Sequence, residues 1–245
     1  MTTPERMRAD RLLVERGLFD SRAKAQAAIE AGLVQANGAT VRKASEEIAR
    51  DADLTASPAH PYVSRGGVKL AAALDHFAID PKGRVCLDVG ASTGGFTQVL
   101  VVRGAKRVYA VDVGRGQLHD SLRGRPEIVS LEETDIRALP ASSFDAPPSL
   151  VTIDVSFISL KQVLPAVTAL AAKDAMLVAL IKPQFEAGRD RVKKGVVRDP
   201  AVHQAVCDDI AAVAASLGWR VRGIIPSPIA GGDGNVEFLL AAERG

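Results

Sequence analysis

Cysteine is scarce in this 245-residue chain: Cys86 and Cys207 are the only two, far apart and without CxxC or CxxH neighbours. That spacing excludes a disulfide framework and a zinc motif. Four histidines without ligand spacing add no metal centre, so none is expected. Aromatic residues are 4% of the chain, with a single tryptophan. No stretch approaches the roughly 18 apolar residues of a membrane span. The opening M-T-T-P-E-R-M-R-A-D-R lacks the apolar core of a secretory signal. Net charge is only +2, so any grip on nucleic acid must come from local patches. What remains is 47% apolar and 24% charged, an ordinary globular composition, and a reduced, cytoplasmic protein is the expectation.

One stretch in the second half sets a physical problem. M-L-V-A-L-I-K-P-Q-F-E runs five apolar residues, Leu177 to Ile181, straight into Lys182 and Pro183. Lysine is among the residues least often buried, and proline ends sheet pairing. Lys182 either surfaces into water or stands at the rim of a site.

The chain divides in two. Residues 11–18 carry a short helical pattern closed by Gly17, and Ser21 caps a second helix running to Gly32. L-V-Q-A-N-G-A-T-V then gives two short strands about Asn37-Gly38, the strongest short hairpin signal. Residues 1–45 hold eight Arg/Lys against five Asp/Glu, +3 in a small unit able to track phosphates. Residues 54–63, with two prolines and no periodicity, read as a linker. Beyond it, strand-like runs at 84–89, 107–113, 148–154, 175–182, 218–225 and 235–241 alternate with helical ones at 66–76, 94–103, 116–123, 159–172 and 201–217. Such alternation predicts an α/β, doubly wound, mostly parallel sheet with ligands at the carboxyl ends of its strands.

Those ends carry chemistry. After the first strand, D-V-G-A-S-T-G-G-F-T (88–97) allows a tight turn and close backbone approach to a ligand, although it is out of register with G-x-G-x-x-G. The next strand ends at Asp112, placed to accept from ribose hydroxyls, and a third acidic tip carries Asp135. Each alone reads as a turn cap; three in succession read as a site. Candidates for moving a proton are Lys69, Asp154, Lys182 and Glu237, three of them expected at strand tips or starts, where a hydroxyl acceptor would need a base. Phe157 is expected in the core, with stacking on a flipped base as the alternative. Cys207 reads as a small apolar filler.

R-A-D-R-L-L-V-E-R-G-L-F-D-S-R-A-K-A-Q-A-A-I-E-A-G-L-V-Q-A-N-G resembles the S-four-type RNA-binding domain, a small α+β module. The resemblance puts Arg11, Arg16, Arg22 and Lys24 on or near an RNA face. The second half resembles the S-adenosylmethionine-dependent methyltransferase fold, Rossmann-like with seven strands, and its glycine loop is close to that of the FtsJ-like ribose methyltransferases. That resemblance implies that Gly90, Ala91, Ser92, Thr93, Gly94, Gly95 and Phe96 cradle the methionine end, Asp112 the ribose, and Asp135 with Ile136 the adenine side. At Asp154 the motif is D-V-S-F rather than [D/N]-P-P-[Y/F], which disfavours amino methylation. Cys86 and Cys207 lie outside the region where a carbon-methylating enzyme needs a thiol.

Over nearly its whole length the chain resembles the TlyA family, often labelled hemolysin A. The matching motifs, in order, are V-S-R-G-G-V-K-L, D-V-G-A-S-T-G-G-F-T, V-D-V-G-R-G-Q-L, D-V-S-F-I-S-L, L-I-K-P-Q-F-E and G-N-V-E-F. The resemblance implies 2′-O-methylation of ribosomal RNA, typically of a cytidine, by a Lys-Asp-Lys-Glu tetrad falling on Lys69, Asp154, Lys182 and Glu237. It also implies an RNA-binding unit over 1–58, a linker over 59–64 and a catalytic unit over 65–245. Tyr62 stands where the family often has tryptophan. Arg65, Arg115 and the pair Lys193-Lys194 are further candidates for RNA phosphates, with a solvated loop as the alternative. Competing readings are a membrane-active toxin, a non-catalytic ribosome-assembly factor and a small-molecule methyltransferase. The first needs an amphipathic or spanning segment, and none stands out.

Overall fold

A computed structural model describes residues 5–245, the side chain of Arg189 excepted. The chain forms two compact units, one ending at Pro61 and the other starting at Tyr62.

The first unit runs β1 (Arg6–Arg8), α1 (Ala9–Glu15), α2 (Arg22–Glu30), β2 (Val34–Ala36), β3 (Ala39–Thr40), β4 (Glu47–Ala49) and β5 (Leu54–Ala56). Ser21 caps α2 by accepting the Lys24 N–H. Asn37 and Gly38, at φ +50° and +77°, form the two-residue loop that pairs Gln35 with Thr40. Leu12, Leu13, Phe19, Ile29, Val34 and Ile48 fill a small core of its own. Three strands escape the sequence pattern. β1 pairs with β4, and β5 pairs with β2, so the beginning of the expected linker is a strand. Each is three residues long, too short to show a period of two.

The second unit runs α3 (Gly66–His76), β6 (Val85–Val89), α4 (Gly95–Val102), β7 (Arg107–Val111), β8 (Ile128–Leu131), β9 (Leu150–Ile153), α5 (Leu160–Leu170), β10 (Met176–Ile181), α6 (Pro183–Glu186), α7 (Pro200–Ser216), β11 (Arg220–Pro226) and β12 (Phe238–Glu243). The seven strands lie in the order β11-β12-β10-β9-β6-β7-β8. Only β12 runs against its neighbours. Alternate residues of each strand enter two cores. Leu87, Val151 and Leu177 pack under α5 and α7, whereas Cys86, Leu150 and Val178 pack under α3 and α4. A sheet covered on both faces requires near-continuous apolar strands, as the sequence shows.

Two expectations are corrected. β8 went unseen because it is a four-residue edge strand, half exposed and followed by Glu132, Glu133 and Asp135. Residues 116–123 are turns, not a helix. The Glu132 carboxylate accepts the backbone N–H groups of Gly116, Gln117 and Leu118, and Arg123 donates to the carbonyls of Leu118 and Gly116. These bonds satisfy the backbone locally and displace the helix.

Candidate active site

The glycine loop leaves β6 at Gly90, whose φ of +82° disfavours any side chain. A Cβ there would lie 2.4 Å from the Asp154 carbonyl oxygen, so the loop passes against the end of β9 only because this residue is glycine. Gly94, at φ +92°, turns the chain into α4 beneath the methyls of Leu118 and Leu122. Asp112, at the end of β7, braces the loop: it accepts the Ser92 N–H at 2.8 Å and the Gly114 N–H at 2.7 Å. Its oxygens keep unused lone pairs for a further donor.

Sequence reasoning counted Asp88, which begins the loop motif, among three acidic tips but gave it no role of its own. It is fully buried and accepts from Thr97 Oγ1 at 2.6 Å and Thr152 Oγ1 at 3.0 Å. Burial pushes its carboxyl up to about 7. An aspartate inside an apolar strand, directly before the glycines, was the available signal.

Beyond the loop lies a cavity of about 510 Å³. Gly90, Ser92, Asp112, Val113, Asp135 and Ile136 line it. Asp135 caps a short 3-10 turn and holds Arg137 through two oxygens at 2.6 and 3.0 Å, which keeps its carboxyl below the ordinary range. A second cavity of about 280 Å³ adjoins the first, sharing Gly90, Ser92, Asp154 and Ser156. Ala91, Thr93, Gly95, Phe96, Arg65, Lys69 and Lys182 line this one. Gly94 lines neither. A carboxylate at β7's tip, apolar Val113 and Ile136 beside it, and a cradle that a Cβ at Gly90 would fill fit the ribose, adenine and methionine parts of S-adenosylmethionine.

The four candidate proton-handling residues form two ion pairs around the second cavity. Lys182 Nζ lies 2.6 Å from Asp154 Oδ1 as an ion contact, while its aligned hydrogen bond goes to Ser156 Oγ at 2.9 Å. Lys69 pairs with Glu237, with side chains 9% and 3% exposed. Asp154 follows β9, Lys182 follows β10, and Glu237 precedes antiparallel β12, whose Phe238 pairs with Ile181. One reversed strand thus brings a strand start to the rim formed by strand ends. Lys69 arrives on α3; the Tyr62 ring packs on Gly67 in that helix. Pro183 opens α6 at its first position, where a missing N–H costs nothing.

α6 is fastened to the D-V-S-F-I-S-L turn. Glu186, unremarked in the sequence, accepts the Leu160 N–H at 2.8 Å and the Ser159 hydroxyl, capping α5; burial raises its carboxyl. Phe157 overturns the core expectation: it is 91% exposed, at φ +65°, at the edge of the first cavity, with its ring 5.2 Å from that of Phe185 between centroids. Its apolar neighbours in sequence hid the turn that expels it. Cys207 is buried, its thiol pushed up to about 11.

The expected RNA-facing cations of the first unit are mostly engaged inside it. Arg22 donates to buried Asp10 at 2.7 Å, and Arg8 beside Asp10 holds that carboxyl far below its ordinary range despite burial. Arg16 donates to the carbonyls of Arg50 and Ala52, and Lys24 pairs with Asp20. Arg11 is exposed and makes no ion pair among the described residues.

Residues 62–244 match the FtsJ-like methyltransferase family, and residues 7–54 match the S4 domain. A Mycobacterium tuberculosis relative named 16S/23S rRNA (cytidine-2′-O)-methyltransferase TlyA is 46% identical over 238 residues, covering 96% of this chain and 89% of its own. Hemolysin A of Brachyspira hyodysenteriae is 38% identical, covering 95% and 98%. Among solved structures, a candidate hemolysin from Streptococcus thermophilus aligns with TM-score 0.78 and 41% identity over 99% of this chain and 90% of its own. A SAM-dependent methyltransferase from Aquifex aeolicus, 18% identical, shares the fold at TM-score 0.52 over 74% and 93%. No helix among the described residues is long and apolar enough to cross a membrane. The chain belongs to the FtsJ-like methyltransferases, in the TlyA (hemolysin A) group that carries an S4 domain ahead of the S-adenosylmethionine-dependent catalytic fold.

Proposed function

We propose that this protein methylates the 2′-hydroxyl of a cytidine in ribosomal RNA, and that Lys69, Asp154, Lys182 and Glu237 carry the reaction. The supporting observation is the pair of lysine–carboxylate contacts around a cavity that opens into the glycine-loop cavity. The relatives' names, cytidine-2′-O-methyltransferases among them, supply the acceptor.

S-adenosylmethionine supplies an electrophilic methyl group. Gly90 through Phe96 hold its methionine end, Asp112 its ribose, and Asp135 with Ile136 its adenine. With the cofactor bound, the Lys182 amine, once it has given up its own proton, would take the proton of the ribose 2′-hydroxyl as that oxygen accepts the methyl group. Asp154 holds that amine in place, and Glu237 fixes Lys69 beside the reacting oxygen. Proton removal and alignment together supply the acceleration. Phe157, held outward at the mouth in a backbone conformation that costs energy for a non-glycine residue, stacks on the flipped cytosine. Residues 1–58 form an RNA-binding unit joined through 59–64 to the catalytic unit 65–245. A ribosomal substrate puts the reaction in the cytoplasm.

The test is transfer of labelled methyl from S-adenosylmethionine to purified small and large ribosomal subunits, with Lys182→Ala alongside. Label in RNA, absent with the variant while cofactor still binds, supports the reading. Full turnover by the variant removes Lys182 as the base, and no label in either subunit removes the substrate.

A further inference from the structure

One strongly basic feature lies outside the residues assigned to the reaction. Between α6 and α7 the chain folds back at Lys193 and Val196, which exchange backbone hydrogen bonds at 3.0 and 3.1 Å. The two residues between them, Lys194 and Gly195, have φ of +52° and +78°. A tight hairpin of this kind needs positive φ at both positions and favours Asn-Gly. The first unit's hairpin has that pair, Asn37-Gly38. Here a lysine occupies the position asparagine would fill more easily, so its side chain is kept at a conformational cost.

The tip is also held rigidly. Asn235 is 3% exposed; its Nδ2 donates to the carbonyls of Gly195 and Gly232, and its Oδ1 accepts the Val197 N–H. Buried His203 bonds through Nε2 to the Val197 carbonyl. Two buried polar side chains thus serve one surface turn.

Its charge is unbalanced. Arg191, Lys193, Lys194 and Arg198 are all exposed, and none makes an ion pair among the described residues. No acidic residue lies between Arg191 and Arg198, and Asp199 next in line caps α7 through the Ala201 N–H. In the first unit, by contrast, Arg8, Arg22, Lys24 and Arg50 are ion-paired. The turn is tied at both ends to the reaction centre: α6 leads back to Lys182, and Asn235 stands two residues before Glu237.

We propose that this 191–198 turn grips the sugar–phosphate backbone of the RNA next to the methylated nucleotide, with Lys193 and Lys194 as the contacting pair. This deepens the ribosomal RNA reading and rests on it.

The experiment measures binding of the full chain to purified, protein-free ribosomal RNA between 50 and 200 mM KCl at fixed magnesium. It compares the wild type with Lys193→Gln/Lys194→Asn. Losing two phosphate contacts should flatten the slope of log affinity against log salt by about 1.4 to 1.8. S-adenosylmethionine affinity should not move. Lys194→Asn alone should melt at or above the wild-type temperature while binding RNA more weakly, a combination that fold damage cannot produce. An unchanged slope, or RNA binding lost together with cofactor binding and stability, overturns the proposal; unchanged slope with binding lost to an acidic ribosomal protein would reassign the turn. A wild type that binds RNA with a steep, lysine-dependent slope but transfers no methyl would instead sink the enzymatic reading and leave the grip standing.

Discussion

The Lys69–Glu237 pair allows structural and chemical roles to be separated. Both side chains are nearly out of water, at 9% and 3% exposure. Replacing Glu237 by Leu leaves an ammonium group buried without its counter-charge. Breaking such a pair from one side costs about 3–5 kcal/mol. With a urea dependence of about 2–3 kcal/mol per molar, the unfolding midpoint should fall by about 1–2.5 M. Lys69→Met should do the same from the other side. The double variant, Lys69→Met/Glu237→Leu, replaces the pair by apolar groups of similar volume and should recover to within about 1 kcal/mol of wild type. The chain's one tryptophan, Trp219, is buried in the second unit, so its fluorescence reports unfolding of the catalytic unit alone. Methyl transfer should be absent in all three variants. A double variant that regained both stability and activity would refute the catalytic role. A single variant with an unmoved midpoint would refute the buried-pair reasoning.

Other perturbations follow from the same geometry. A Cβ at Gly231 would sit 2.0 Å from Glu237 Oε1, so Gly231→Ala should displace that carboxylate and lower kcat at least tenfold with little change in cofactor affinity, read by equilibrium dialysis. Asp88 has a folded-state carboxyl near 7 against about 4 in the unfolded chain, so the native protein holds the extra proton between those values and loses stability as pH rises through that window. Asp88→Asn should abolish that slope, gaining up to about 4 kcal/mol at pH 8 and little at pH 4; urea midpoints at both pH values check it. Phe157→Ala should leave the melting temperature within a degree or two because the ring is 91% exposed, while raising KM for RNA or lowering kcat.

What could be read from residues alone follows from signal length and from where contacts lie. α3, α5 and α7 have periods repeated over three or more turns, and the sequence places them within a residue or two. The Asn37-Gly38 hairpin is local chemistry and was equally plain. β8 and the short strands of the first unit hold too few residues to show a period. The false helix at 116–123 failed because its competitor, Glu132, lies beyond it in the chain and in a different element. Phe157 was misread because exposure is decided by a single left-handed residue in a turn, which no pattern of apolar neighbours encodes. Lys69, Asp154, Lys182 and Glu237 could be picked out by position and resemblance, but their division into two pairs depends on the reversal of β12.

That reversal also bears on how the molecule assembles. β12 is the last strand in chain order, yet it lies inside the sheet, between β10 and β11. β11, made earlier, pairs with no other strand among the described residues, so it has nowhere to dock until β12 is in place. The β9-β6-β7-β8 ladder with β10 can form first, leaving β10 as an open, wholly apolar edge. Such an edge invites pairing with other chains. Closing that edge would seat β12, recruit β11 and deliver Glu237 to Lys69 together. A molecule caught before that step is both sticky and inert, so loss of activity and onset of aggregation should share one transition.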